Sequence, residues 1–215
     1  MPLHGRPAVE EPVTVTFFSQ RDPRWGKDRL GTSSLTLEQA GCLVSAMASV
    51  LCDLGVPTDP GQLNAWLTKT QGYVGGNRFM FNAVADLGIS CLKVVFCPYT
   101  PAPITTLLEL FQEVDTYGIV AQVDFRPGGP VTQHWVRLLS LEQVMDPWQL
   151  PGQELQPLAR YLAADWNAAR GIFAVAWYVR SIATRQRAFS PAALRWMQPS
   201  ITIRPPDLNS KADPQ

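Results

Sequence analysis

The stretch Gly41-Cys42-Leu43-Val44-Ser45-Ala46-Met47-Ala48-Ser49-Val50-Leu51-Cys52-Asp53-Leu54-Gly55 decides how the front of this chain folds. Leu43, Ala46, Met47, Val50, Leu51 and Leu54 recur at three- and four-residue spacing, which predicts a helix with one apolar face from Cys42 to Leu54. Gly55 is placed to end it, with Pro57 just beyond. Of the four cysteines (Cys42, Cys52, Cys91, Cys97), only Cys42 falls at a predicted helix N-terminus. Unpaired N–H groups and the helix dipole favour a thiolate there. Cys52 falls in the last turn, where the same dipole opposes one, and Cys91 and Cys97 lie in or beside a strand-like run.

Upstream of this helix, Val13 to Phe18 alternates Val and Thr before two aromatics, predicting a short strand, and Ser19 to Thr36 reads as an ordered loop. Downstream, Asp59 can cap a second helix with Pro60 in its first turn and Leu63, Trp66 and Leu67 on its apolar face. Asn77 to Leu87, with Phe79, Met80, Ala83, Val84 and Leu87 inward and Gly88 after it, predicts a third. The period then changes. Ile89 to Phe96, Ile119 to Phe125, Val131 to Ser140, Gln143 to Asp146 and Gly171 to Arg180 are strand-like. Helical patterns fall at Thr105 to Val114 and Leu158 to Ala169, and Arg126 to Pro130 is a turn signal. Helices followed by antiparallel strands predict an α+β fold, N-terminal helices packed on an antiparallel sheet in a single domain. Residues 13–180 form that domain, 1–12 a flexible leader, and 181–215 a C-terminal extension and tail.

Composition narrows the chemistry. The chain has 215 residues, 46% hydrophobic, with 18 basic and 18 acidic side chains, so bulk charge gives no reason to expect nucleic acid. Its two histidines are His4, in the Pro-rich leader, and His134, so a multi-histidine metal site is not expected and any imidazole base is His134. No C-x-x-C pair is present, and neither a metal nor an organic cofactor is expected. Gly75-Gly76 and Gly128-Gly129 read as turns, since neither has the spacing of a phosphate loop. No apolar run approaches a membrane span, and Met1 to Pro12 lacks the apolar core of a secretory signal. A soluble protein with free thiols, cytoplasmic on this count, is therefore expected. The segment from Arg180 to Arg204, with five arginines and no acids, is either a solvated basic face or a docking surface.

A thiol nucleophile needs an imidazole partner that is oriented through its other ring nitrogen. His134 lies on a predicted strand and Asp146 at the end of the next, so a hairpin lets the two side chains face each other. The Cys42 helix, packed on that sheet, could bring its sulfur to His134. Each residue also has a plain reading: Cys42 and His134 as core residues, Asp146 as a strand-ending turn, Gln20 as a loop residue. Trp25, Trp135 and Trp148 suit core or cleft wall, with at least one expected to line a substrate groove.

Ser19-Gln20-Arg21-Asp22-Pro23-Arg24-Trp25, Gly41-Cys42 opening an apolar helix, His134-Trp135-Val136 and Met145-Asp146-Pro147-Trp148, in this order, resemble the C39-like cysteine peptidases, papain-like relatives of the bacteriocin-processing peptidases. The likeness spans roughly residues 13 to 150. It implies a papain-like fold with Cys42 as nucleophile, His134 as general base and acid, Asp146 as orienting group and Gln20 as oxyanion donor beside the Cys42 N–H. Gln39, closer in sequence to the nucleophile, is an alternative donor. The implied function is hydrolysis of a peptide or amide bond, in a phage-associated or cell-wall peptide setting. Acyl transfer to an amine is the same chemistry with another acceptor. The competing class is a non-catalytic structural or binding component of a larger assembly, such as a phage particle, with the Pro-rich ends as docking arms.

Overall fold

The computed structural model describes residues 15–96, 118–128, 132–140, 142–161 and 172–180, all within a unit running from Met1 to Ser181. Three helices come first: α1 (Leu37–Ala40), α2 (Cys42–Asp53) and α3 (Pro60–Lys69). A two-residue hairpin follows, β1 (Tyr73–Val74) with β2 (Arg78–Phe79), and then a 3₁₀ turn over Ala83–Leu87. The remaining strands are β3 (Ile89–Phe96), β4 (Gly118–Asp124), β5 (Gln133–Leu138), β6 (Gln143–Met145), β7 (Leu155–Pro157) and β8 (Ile172–Arg180), with a second 3₁₀ turn at Leu158–Tyr161. They form one sheet in the order β3-β8-β4-β5-β6-β7, antiparallel throughout. The architecture is α+β, a few helices packed with an antiparallel sheet.

Strand alternation divides the apolar side chains between two cores. On one face α2 lays Val44, Met47, Val50 and Leu51 over Val120 of β4 and Ala176 and Tyr178 of β8. On the other, Ile119, Ala121 and Val123 of β4 meet Val136 and Leu138 of β5, Val175 and Trp177 of β8, and Leu158 and Tyr161. Each fully buried aliphatic side chain contributes about 1.5–3 kcal/mol relative to exposure. The helix lies very close to the sheet at Gly118, where a Cβ would stand 2.1 Å from Val50 Cγ1. No larger residue fits there without moving α2.

A polar clamp fixes the helix along β5. Arg137 donates from Nη1 to Ser49 Oγ at 2.7 Å and from Nη2 to Asp53 Oδ2 at 2.7 Å, with both ends of the ion pair largely buried. Because Arg137 and His134 share one strand, this pairing ties the far end of α2 to the strand that carries the imidazole.

Four sequence expectations change. Residues 15–18 are not a strand: the Thr16 N–H donates to Asp53 Oδ1 at 3.2 Å and the Thr16 carbonyl accepts from Ser49, so helix side chains take the bonds a sheet edge would offer. Residues 77–87 are not one helix. Gly75-Gly76 turns the chain back so that Phe79 pairs with Tyr73, and only Ala83–Leu87 is helical, as 3₁₀. Gln143–Met145 and Gln133–Leu138 are shorter than their apolar runs, and β7 arises from Leu155–Pro157, which carries no alternating pattern. The helix expected at 105–114, and the part of 158–169 beyond Tyr161, lie outside the described residues, as do 1–12 and 181–215.

Candidate active site

The site begins at a tight joint between two helices. Thr36 caps α1 by accepting from the Gln39 N–H while the Gln39 side chain accepts from the Thr36 N–H at 3.0 Å. This reciprocal box occupies the side-chain oxygen of Gln39, which is exposed, and leaves its amide N–H groups uncommitted to the cap. Gly41 then links α1 to α2. A Cβ at Gly41 would lie 2.6 Å from the Leu37 carbonyl oxygen and 2.7 Å from Leu37 Cδ2, so the joint requires glycine. Cys42 is the first residue of α2, no acidic side chain occupies that first turn, and its N–H has no acceptor within the helix.

His134 is the second residue of β5 and is 5% exposed. Its Nε2 lies 2.5 Å from Asp146 Oδ1, which leaves Nδ1 as the nitrogen for the Cys42 sulfur. Burial alone would raise the Cys42 thiol. The hydrogen bond and charge of His134, with the N–H groups of Trp135 and Leu43, outweigh it and hold the thiol below its ordinary value. Burial likewise opposes charge on His134, yet its bonds to Asp146 and Cys42 carry it up to about 9. Both shifts run in the direction that favours a proton on His134 over one on Cys42. The other described cysteines differ: burial pushes up both the Cys52 thiol, which donates to the Thr58 carbonyl at 3.0 Å, and the Cys91 thiol beside Tyr178.

Asp146 directly follows β6 and has no exposed surface. Its burial is offset by bonds to every side of the carboxylate. Besides His134, Oδ1 accepts the Trp148 N–H at 2.8 Å, and Oδ2 accepts Gln149 Nε2 at 2.7 Å and the Tyr161 hydroxyl at 2.5 Å. Against that burial, these donors and the imidazolium hold the Asp146 carboxyl down at about 2. Gln149 and Tyr161 were not singled out in the sequence. Gln149, three residues beyond Asp146, fits a side-chain turn that closes on the carboxylate; Tyr161 carries no local signal, because the second 3₁₀ turn brings it back from a distance.

Gln20 is 1% exposed and set between the two halves of the site. Its N–H donates to the Pro147 carbonyl at 2.8 Å, and its Nε2 donates to the Glu38 carbonyl at 2.7 Å in α1, just ahead of Gly41. One amide hydrogen is thus spent on the joint leading to Cys42, and the second is left over. The carbonyl oxygen Oε1 is buried without a hydrogen-bond partner. The structure brings Cys42, His134 and Asp146 together and seats Gln20 beside the chain entering the nucleophile's helix.

The three tryptophans separate. Trp25 is buried at 3% exposure, donates to the Ser19 carbonyl at 2.8 Å and packs edge-on against Phe18, so it is core and not cleft wall. Trp135 offers its N–H to the sulfur and its ring to Phe81, with centroids 5.5 Å apart. Trp148, half-buried, lines an open groove together with Phe125. Among the described residues, no group of three or more His, Cys, Asp or Glu side chains is gathered as metal ligands, and no helix is long and apolar enough to cross a membrane. Comparison of the chain with protein-family models, curated proteins and solved structures returns no match.

Proposed function

We propose that this chain is a papain-like thiol hydrolase, akin to the C39-like peptidases, that cleaves a peptide or other amide bond. One observation carries the reading: of the described cysteines, the one at a helix N-terminus is also the one whose thiol is lowered, by an imidazole that a buried carboxylate holds in line. The Cys42 thiolate attacks the substrate carbonyl. The oxyanion that forms is met by the Cys42 N–H and by the remaining amide hydrogen of Gln20. His134, protonated in the pair, gives its proton to the leaving amine, and the bond to nitrogen breaks. Neutral His134 then takes a proton from water, whose oxygen attacks the thioester and releases the acid. Asp146 keeps the imidazole oriented and supports its positive charge throughout. Cell-wall peptides, met from the cytoplasm or from a virion, are the first substrates to try.

The test is the rate at which iodoacetamide labels Cys42 from about pH 4 to about pH 9, in wild type and His134→Ala. The proposal expects selective labelling of Cys42 with an apparent pKa well under the free-thiol value of about 8.5, and a rise toward that value in the variant. Slow labelling with an ordinary profile that ignores His134 would overturn it. The papain-like frame would then be read as a non-catalytic module of an assembly.

A further inference from the structure

A groove of about 400 Å³ opens beside His134, and its lining is unusual for a chain of zero net charge. Three guanidinium groups, Arg21, Arg126 and Arg160, stand around an aromatic floor of Phe125 and Trp148, and among the described residues no acidic side chain lines it. The floor is continuous with the site: the Phe125 ring is 4.9 Å from the imidazole and 5.7 Å, edge-on, from the Trp148 ring. Each arginine is steadied over an aromatic face, Arg21 at 5.2 Å over Trp148, Arg126 at 5.7 Å over Phe125 and Arg160 at 5.9 Å over Tyr161.

Among the described residues their charges are largely unspent. Arg160 donates to the neutral Gln156 side chain at 2.8 Å, and Arg21 approaches Glu38 at 3.9 Å across a half-exposed pair. Among the described residues, no carboxylate lies within ion-pair distance of Arg126 or Arg160. Clustered like charges around an open groove repel one another unless an anion enters, so the groove is complementary to a carboxylate.

The side of the site it occupies gives that carboxylate a place in the substrate. Resting on the hydrolase reading, His134 must reach the leaving nitrogen, so the released segment passes over the imidazole and onto the Phe125–Trp148 floor. We infer that this groove selects a leaving segment bearing a carboxylate, either an acidic side chain or the free C-terminus of a short peptide. The aromatic floor takes the apolar part of that segment and the three arginines take its charge.

The test uses the full chain and a set of internally quenched peptides, mixed in sequence on the acyl side. On the leaving side they carry Glu, Gln or Lys, each with a free or an amidated C-terminus. Preference for Glu over Gln by about tenfold is expected from a charge-assisted pairing. A preference seen only with free C-termini supports the same pairing and assigns the carboxylate to the chain end. The charge-reversed variant Arg126→Glu/Arg160→Glu is expected to turn the preference toward Lys, which mere loss of packing at two exposed positions would not do. Equal cleavage of all peptides, or a preference unmoved by charge reversal, overturns the groove assignment and leaves the hydrolase reading standing. If no peptide is cut, binding of the same set to Cys42→Ala decides. Tighter binding of acidic peptides keeps the groove while the hydrolase reading falls, and indifferent binding removes both.

Discussion

The two ends of α2 carry the same side chain with thiol pKa values shifted in opposite directions. At the N-terminal end Cys42 meets the His134 imidazole and two backbone N–H groups, and its thiol is lowered. At the C-terminal end Cys52 is half-buried, donates to the Thr58 carbonyl and stands next to Asp53, and its thiol is raised. Residue type and helix are constant, so the difference belongs to position alone. One end of the helix is prepared for a developing negative charge. The other is closed by an ion pair that has mechanical value: Asp53 and Arg137 anchor the helix so that the first end stays aimed at His134.

Exchanging the thiols breaks the comparison most severely. Cys42→Ala is expected to lower peptide hydrolysis by about ten-thousandfold or more, while Cys52→Ala changes it by about twofold at most; steady-state kcat/KM on one peptide substrate checks both. The anchoring end is next. Arg137→Ala leaves Asp53 buried without its partner and should cost about 3–5 kcal/mol, read from the urea midpoint, whereas Arg137→Met with Asp53→Leu should recover much of that loss. If the single and double variants melt alike, the ion pair is not what holds the helix.

Smaller effects sharpen the comparison. Gly41→Ala forces a Cβ against Leu37 and should destabilise by about 1–3 kcal/mol. Its cost to kcat should exceed its cost to folding, because the Cys42 N–H moves with the joint. A fall in stability with full kcat at low temperature would show that the joint does not aim the nucleophile. The smallest effect lies in acid. Asp146's carboxyl is held at about 2 in the fold, below its unfolded value, so the stability it adds is complete above about pH 4 and lost as the pH falls toward 2. Wild type should lose about 1–2 kcal/mol across that window and Asp146→Asn should lack this component, measured as thermal melts across the range.

How much of this was legible depends on the range over which each feature is encoded. The α2 pattern is local, and so are the Asp59 cap of α3 and the apolar runs of β3, β4 and β8; each survives in the fold with its ends shifted by one residue at most. The Cys42–His134–Asp146 set was legible because a helix start, a strand and the end of the next strand are all local signals. The failures share one cause. Phe79, Met80, Ala83, Val84 and Leu87 fit a helix by spacing, but the hairpin ahead of them takes Phe79 before a helix can form. Tyr161 and Arg137 were passed over because neither belongs to a motif. A hydroxyl that closes on Asp146 from a later turn, and a guanidinium that reaches across to a helix, appear only once the sheet brings them there. Gln39 was a candidate by nearness to Cys42, and the fold adds that its side-chain oxygen also serves the Thr36 cap.

The nucleophile and its imidazole come from different stretches of chain, Cys42 from before Phe96 and His134 with Asp146 from after Gly118, while Gln20 bonds to both sides through Pro147 and Glu38. Neither stretch holds a complete reaction centre. If the proposed hydrolase chemistry holds, the two stretches supplied as separate polypeptides would form an AND gate: turnover would report their meeting, driven by the β3–β8 ladder and the seat of α2 on β4 and β5. Fused to two proteins suspected of associating, the halves of this chain become a sensor whose background is the chemistry of a lone thiol.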